Sequence, residues 1–338
     1  ALHRLRLTGD EPITEKSLTP KIWYMNADFE TELAAPTGRY LRTQAFDQVN
    51  KRLSENLLLL TSAGDALVID EPCSESLRTE AAKRNVSLIP VVYDLANNQK
   101  IFTPWGWTPS AIEVGKRIGA IVEHPPLDVV KKVNSKLFSH SLEIELGVAL
   151  PGAATASSFE ELVVVVSNGA SQAESKWVIK SPTGFAARDR ILGRGPTLEE
   201  PQAKWCRKRL SSGGTMIFQP WLDVIREYGV QFMIGPNGEI EILGISDLQT
   251  NGAGTGTGYL LGRKVEENRI EQLTEMTLLV GRRLFDEGYT GPVGLDALEH
   301  TAGLHPLLEI NARYTMGFVA LAKERELNPP EPVFWPTK

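Results

Sequence analysis

The chain has 338 residues, 42% of them hydrophobic and 23% charged, with a formal net charge of −6; that length implies two or three compact units rather than one small core. No apolar run approaches the ~20 residues of a membrane span, and an acidic balance without a basic stripe lacks the electrostatic footprint of nucleic-acid binding. Two cysteines, Cys73 and Cys206, are too few for a disulfide framework, so a reducing, cytoplasmic setting is expected, with neither membrane nor nucleic acid as a partner.

The opening residues, ALHRLRLTGDEPITEK, contain no apolar h-region and give no reason to expect secretion. The first fifty residues show little periodicity. From Asn56, NLLLLTSAGDALVID, EPCSESLRTEAAKRN and SLIPVVYDL read as strand, helix and strand, an α/β alternation that argues for parallel pairing. FTPWGWTPSA, rich in Pro and Trp, reads as a joint between domains, and LDVVKKVNSKLFSHSLEIELG beyond it reads as helical. A helix around FEELVVVV and a β segment ending at WVIK open a second α/β unit. The last third supplies the strands TMIFQPWL, YGVQFMI and EIEILGI, a long helix from EENRIEQL to RRLFDEG, and a strand pair, GPVGLDAL and HPLLEIN. The tail NPPEPVFWPTK is expected to be irregular. The expected divisions are residues 1–118, 119–216 and 217–338.

The strand pair carries the chemistry. A short turn around residues 301–303 folds the two segments into an antiparallel hairpin and sets Asp296 opposite Glu309; alternation puts Asn311 and Arg313 on the same face. Opposed carboxylates flanked by Val293, Leu295, Leu307 and Ile310 destabilise a strand pair unless a cation lies between them. Two carboxylates and an amide oxygen suit Mg²⁺ or Mn²⁺ rather than zinc. The alternative is a pair of acids on the solvated face of an edge hairpin.

An Asp on one strand followed by Glu-x-Asn on the next resembles the metal-binding end of the ATP-grasp superfamily, and the resemblance extends over residues 134–317. It implies an α/β fold with α+β subdomains, a Rossmann-like domain preceding the ATP-grasp unit, and ATP and Mg²⁺ as cofactors. Asp296, Glu309 and Asn311 then hold metal, and Lys136 and Lys180 bind phosphates, with the loop SPTGFAARDRILGRG as a lid. Arg313 orients a carboxylate or the transferring phosphoryl group, making it and Lys180 the catalytic candidates. Gln219, Pro220, Trp221 and Leu222 form the adenine hinge, and Glu227 takes the ribose. The family often has Glu where Gln219 stands here. Arg188 and Arg190 are second-tier candidates for an anionic substrate.

Other motifs are excluded or set aside. No GxxxxGK[ST], GxSxG or HExxH occurs. NGAGTGTGYLLG is not a dinucleotide fingerprint, since its glycines alternate without an opening helix; it is expected as a mobile loop at the substrate site. His300 and His305 read as turn or surface histidines. Gly294, where D-alanine ligases carry Arg, disfavours D-Ala-D-Ala synthesis. The resemblance implies a ligase joining small-molecule carboxylate and amine substrates through an acyl phosphate, closest to amino-acid or peptide ligases. A phosphotransferase, a bicarbonate-activating enzyme and a non-catalytic ATP-binding module remain as alternatives, and a homodimer is left open.

Overall fold

The computed structural model describes residues 19–36, 38–91, 99–182, 189–211 and 213–337. Three sheets organise them.

The first sheet is parallel, in the order β3-β2-β1-β4. In chain order its elements are β1 (Lys21–Tyr24), α1 (Phe29–Ala34), α2 (Gln44–Ser54), a 3₁₀ turn (Glu55–Leu60), β2 (Ala66–Ile69), α3 (Glu75–Lys83), β3 (Ser87–Pro90), β4 (Ile101–Pro104) and α4 (Pro109–Arg117). All four residues of β2 are buried, as expected of a parallel strand covered on both faces. FTPWGWTPSA is not a joint between domains: it supplies β4, pairs with β1, and starts α4, whose N-cap Thr108 accepts from Ala111 N–H. Its apolar residues are therefore core rather than linker.

Next come α5 (Leu127–Val133) and α6 (Lys136–Glu145). Val130, Val133 and Leu142 join the core of the large sheet, and Ser139 Oγ accepts from Ile310 N–H at 3.1 Å, so α6 lies against the sheet that carries the proposed metal ligands.

The second sheet, β5-β8-β6-β7, is antiparallel. Its elements are β5 (Ala154–Ala156), α7 (Phe159–Gly169), β6 (Lys176–Lys180), β7 (Arg190–Arg194), α8 (Glu200–Leu210) and β8 (Met216–Pro220). Trp177, fully buried, packs with Phe218 and Cys206 and donates to Gly195 O at 2.9 Å. Gly193 lies beneath that indole, where a Cβ would come within 2.1 Å of the ring. Part of the expected lid loop is thus strand, because residues 190–194 pair with β6; Arg188 lies outside the described residues.

The third sheet has six strands in the order β13-β12-β9-β10-β11-β14. It comprises β9 (Val224–Ile234), β10 (Ile240–Thr250), β11 (Gly256–Leu261), α9 (Glu267–Asp286), β12 (Gly291–His300), β13 (Gly303–Asn311), α10 (Met316–Leu327) and β14 (Val333–Pro336). Val293, Leu295 and Ala297 join its core with α9, leaving Gly294 and Asp296 on the opposite face. Phe318 and Val319 of α10 pack with Trp23, Met25 and Trp105, tying the first sheet to the third. Two expectations fail here. The tail is not irregular: β14 pairs with β11, and Trp335 lies 6.4 Å from Tyr259. Half of the glycine-rich segment, expected as a loop, is β11 itself, whose alternating glycines leave room for that neighbour: a Cβ at Gly258 would come within 2.4 Å of Trp335 O.

Candidate active site

A cavity of about 1130 Å³ is lined by residues of the second and third sheets together with Glu30 of α1 and Val49, Arg52 and Leu53 of α2. It is lined by Asp296, Glu309, Asn311, Arg313, Lys136, Lys180, Gln219, Pro220, Trp221, Leu222 and Glu227, and by Arg190 of the second-tier pair.

Asp296 is the direct cross-strand partner of Glu309, and Gly294 that of Asn311. Asn311 Nδ2 donates to Asp296 Oδ2 at 3.0 Å. The two acids do belong to an edge hairpin, since β13 ends the strand order, but both line the cavity. Burial, followed by the negative charge of Glu309, pushes Asp296 up to about 7. Burial also opposes ionisation of Glu309, but Lys136, which forms an ion pair with it, together with Lys180 and Arg313, holds its carboxyl below the usual range.

These residues suit a hard divalent cation: two carboxylates face each other beside the Asn311 amide, whose oxygen here accepts from Arg313, one acid is poorly compensated, and Gly229 opposite Asp296 keeps the strand face open. Gln231 on the same wall has a buried amide oxygen with no partner among the described residues. No cluster of three His, Cys, Asp or Glu suited to a metal occurs among the described residues, so the remaining ligands would have to come from water or substrate oxygens.

The cations are arranged around this pair. Lys136 sits in the first turn of α6, whose N-cap Ser135 accepts from Leu137 N–H. Lys180 ends β6 and donates to Gln219 Oε1 at 2.6 Å; burial lowers its pKa. Arg313 donates to Asn311 Oδ1 at 3.0 Å and to Glu30 Oε1 of α1 at 2.5 Å. At the other end, Trp221 N–H donates to Lys176 O, and Arg190 lies 5.6 Å over the Trp221 ring while bonding to Ala253 O. Glu227 accepts from Thr250 Oγ1 at 2.6 Å, and burial raises its pKa. Asn251, Gly252 and Gly254 also line the cavity.

Sequence reasoning missed two groups. Glu30 and Arg52 come from helices whose surroundings carried no motif. His305 is not a surface histidine: at 2% exposure it lies beside Glu143, which sequence did not single out at all. A polar residue inside the apolar run of β13 was the available signal.

The fold, an α/β architecture with a parallel sheet before two antiparallel-rich sheets, is shared with solved enzymes of low sequence identity. No family model and no curated protein matches the chain. Among solved structures, N5-carboxyaminoimidazole ribonucleotide synthetase (PurK) in its ADP complex superposes with a TM-score of 0.52 at 11% identity, covering 95% of this chain and 80% of that one. Biotin carboxylase from Campylobacter jejuni, complexed with β-γ-ATP, gives 0.56 at 12% identity over 90% and 70%. The biotin carboxylase domain of Hydrogenobacter thermophilus 2-oxoglutarate carboxylase, a dimer with MgADP, ADP and bicarbonate, gives 0.54 at 11% over 94% and 71%.

Proposed function

We propose that the chain is an ATP-dependent ligase that activates a small-molecule carboxylate as an acyl phosphate and joins it to an amine. The observation that supports this most directly is the meeting, in one cavity, of Asp296, Glu309 and Asn311 with Lys136, Lys180 and Arg313. In this reading the first three hold Mg²⁺ or Mn²⁺, which when bound neutralises charge on the phosphates. Lys136 and Lys180 bind phosphate oxygens. The edge formed by Gln219, Pro220, Trp221 and Leu222 takes the adenine, and Glu227 takes the ribose.

A substrate carboxylate oxygen attacks the γ-phosphorus in line, the bond to the β,γ-bridging oxygen breaks, and ADP leaves. The amine nitrogen then attacks the acyl carbon, expelling phosphate and losing its proton. Arg313 orients the acid, and the protein's contribution is positioning and charge stabilisation rather than a nucleophile. At about 1130 Å³ the cavity is slightly larger than the ~300–1,000 Å³ typical of small-molecule sites, which suits a nucleotide plus two small substrates. Cys73 and Cys206 are free thiols, consistent with cytoplasmic chemistry, and no helix among the described residues is long and apolar enough to cross a membrane.

Bicarbonate as the activated acid is the second reading, supported by the fold neighbour solved with that anion. ATP consumption should be measured across a matrix of acids, bicarbonate and amines, with products resolved by mass spectrometry. ADP, phosphate and a condensed amide are expected when acid and amine are both present. ADP with a stable phosphorylated product would indicate phosphotransfer, and binding without turnover across the matrix would indicate a regulatory ATP module. Glu309→Gln should abolish turnover and leave the fold intact; full activity in that variant would overturn the metal assignment.

A further inference from the structure

Behind the cavity wall lies a buried polar group that the proposed chemistry does not use. On α6, residues spaced three and four apart share one face: Lys136 reaches the cavity, and His140 and Glu143 follow along the same stripe. Glu143 is 1% exposed and His140 3%. A buried carboxylate persists where polar partners compensate its lost hydration. His140 Nδ1 lies 2.8 Å from Oε2, and since a carboxylate only accepts, that nitrogen carries the donated proton. His305 Nε2 stands 3.4 Å from Oε1. Burial works against ionisation of Glu143, yet the contacts from His140 and His305 outweigh it and lower its pKa.

The remaining neighbour is Gln219, 4% exposed, whose Nε2 lies 3.4 and 3.5 Å from the two carboxylate oxygens. A side-chain amide has one donating and one accepting end. With the donating end turned to the anion, Oε1 faces the cavity and accepts from Lys180 Nζ at 2.6 Å. The row Glu143–Gln219–Lys180 therefore alternates acceptor, amide and donor. A glutamate at position 219 would set two buried carboxylates against each other with no proton between them, which is strongly unfavourable. The buried acid on α6 thus accounts for the amide at the hinge.

We propose that Glu143 is a positioning residue for the nucleotide site: through the Gln219 amide it fixes the Lys180 ammonium at the cavity wall, and the acid and the amide can exchange places. This rests on the reading of the cavity as a nucleotide site. Lys180 uses one of its three donors on Gln219 and keeps two for phosphate oxygens. Without the anion behind it the amide is free to turn over, and its NH₂ end would then face the ammonium.

The test uses the full chain, MgADP binding by titration calorimetry, and thermal melting as a check on folding. Glu143→Gln and Gln219→Glu should each weaken MgADP binding by about 10-fold, the scale of one charge-assisted hydrogen bond. The double variant, which returns one acid and one amide in swapped positions, should bind within about threefold of the parent. A cluster that served only packing would not be rescued by the swap. Parental binding in a folded Glu143→Gln variant, or a double variant no tighter than the singles, overturns the assignment. If Glu143→Gln does not fold, Gln219→Leu removes the amide that joins Glu143 to Lys180 and should show the same loss; unchanged binding there overturns the assignment equally. A parent chain that does not bind MgADP would instead refute the nucleotide reading, and this assignment with it.

Discussion

Asp296 and Glu309 face each other across β12 and β13, yet their carboxyl groups are displaced in opposite directions, Asp296 up to about 7 and Glu309 downward. Burial disfavours both charges. Glu309 has Lys136 in contact, whereas Asp296 has an amide from Asn311 and a like charge opposite.

Asp296 should therefore cost stability when no cation is bound. The folded protein keeps this proton up to about pH 7, whereas an unfolded chain releases it near ~3.9. Between those values the folded state binds more protons, so this contribution falls as pH rises. Asp296→Asn should melt higher than the parent at pH 8 without divalent cations. Adding MgADP should raise the melting temperature of the parent and leave the variant nearly unchanged. A variant that melts lower without cations would contradict the repulsion argument.

Arg313 should separate catalysis from nucleotide binding. It contacts Asn311 and Glu30 of α1. Lysine keeps the charge but loses the planar fork. Arg313→Lys is expected to lower turnover by about 100-fold, the scale of a lost electrostatic donor, with MgADP affinity within threefold of the parent. Equal losses in both measurements would place Arg313 on the nucleotide instead.

Asp28 should set part of the acid stability. It is fully buried and accepts from Tyr40 Oη at 2.5 Å, Arg42 Nε at 2.7 Å and Asn50 Nδ2 at 3.0 Å. Burial opposes its ionisation, but those three bonds prevail and its pKa is lowered. A depressed carboxylate stabilises above the unfolded value of ~3.9, and that stability is lost as pH falls through the folded value. Asp28→Asn should cost about 2–3 kcal/mol at pH 7. In chemical denaturation the gap from the parent should narrow toward pH 3; a constant gap would mean that packing, not charge, is responsible.

Gly193→Ala tests the second sheet. The added methyl would fall on the buried Trp177 ring, and such overpacking costs about 1–3 kcal/mol. Because β6 carries both Trp177 and Lys180, MgADP binding should weaken along with the melting temperature. Parental values for both would show that the sheet yields without cost.

The β12–β13 hairpin was legible because a period of two and a short turn leave little freedom in register: Asp296 and Glu309 were aligned from spacing alone. That Lys136, Lys180 and Gln219–Leu222 would share one cavity was suggested only by family resemblance, since a strand-end lysine looks like any surface lysine. β1 escaped notice because it is four residues long. β14 escaped because Pro329, Pro330, Pro332 and Pro336 suggest irregular chain, although proline is tolerated at a sheet edge. Glu143 and His305 were invisible because their pairing joins a helix to a strand 162 positions later, a distance that no local pattern spans.

β14 has a consequence for solubility. Deleting residues 333–337 would uncover the N–H and C=O row of β11, a template for strands of other molecules. With these residues present the outermost strand is short, preceded by Pro332 and ended by Pro336, which have no amide to offer a further strand. Val333 and Phe334 are exposed on it, at 45% and 51%. Those two prolines take two donors away from the edge and so disfavour pairing with a further strand.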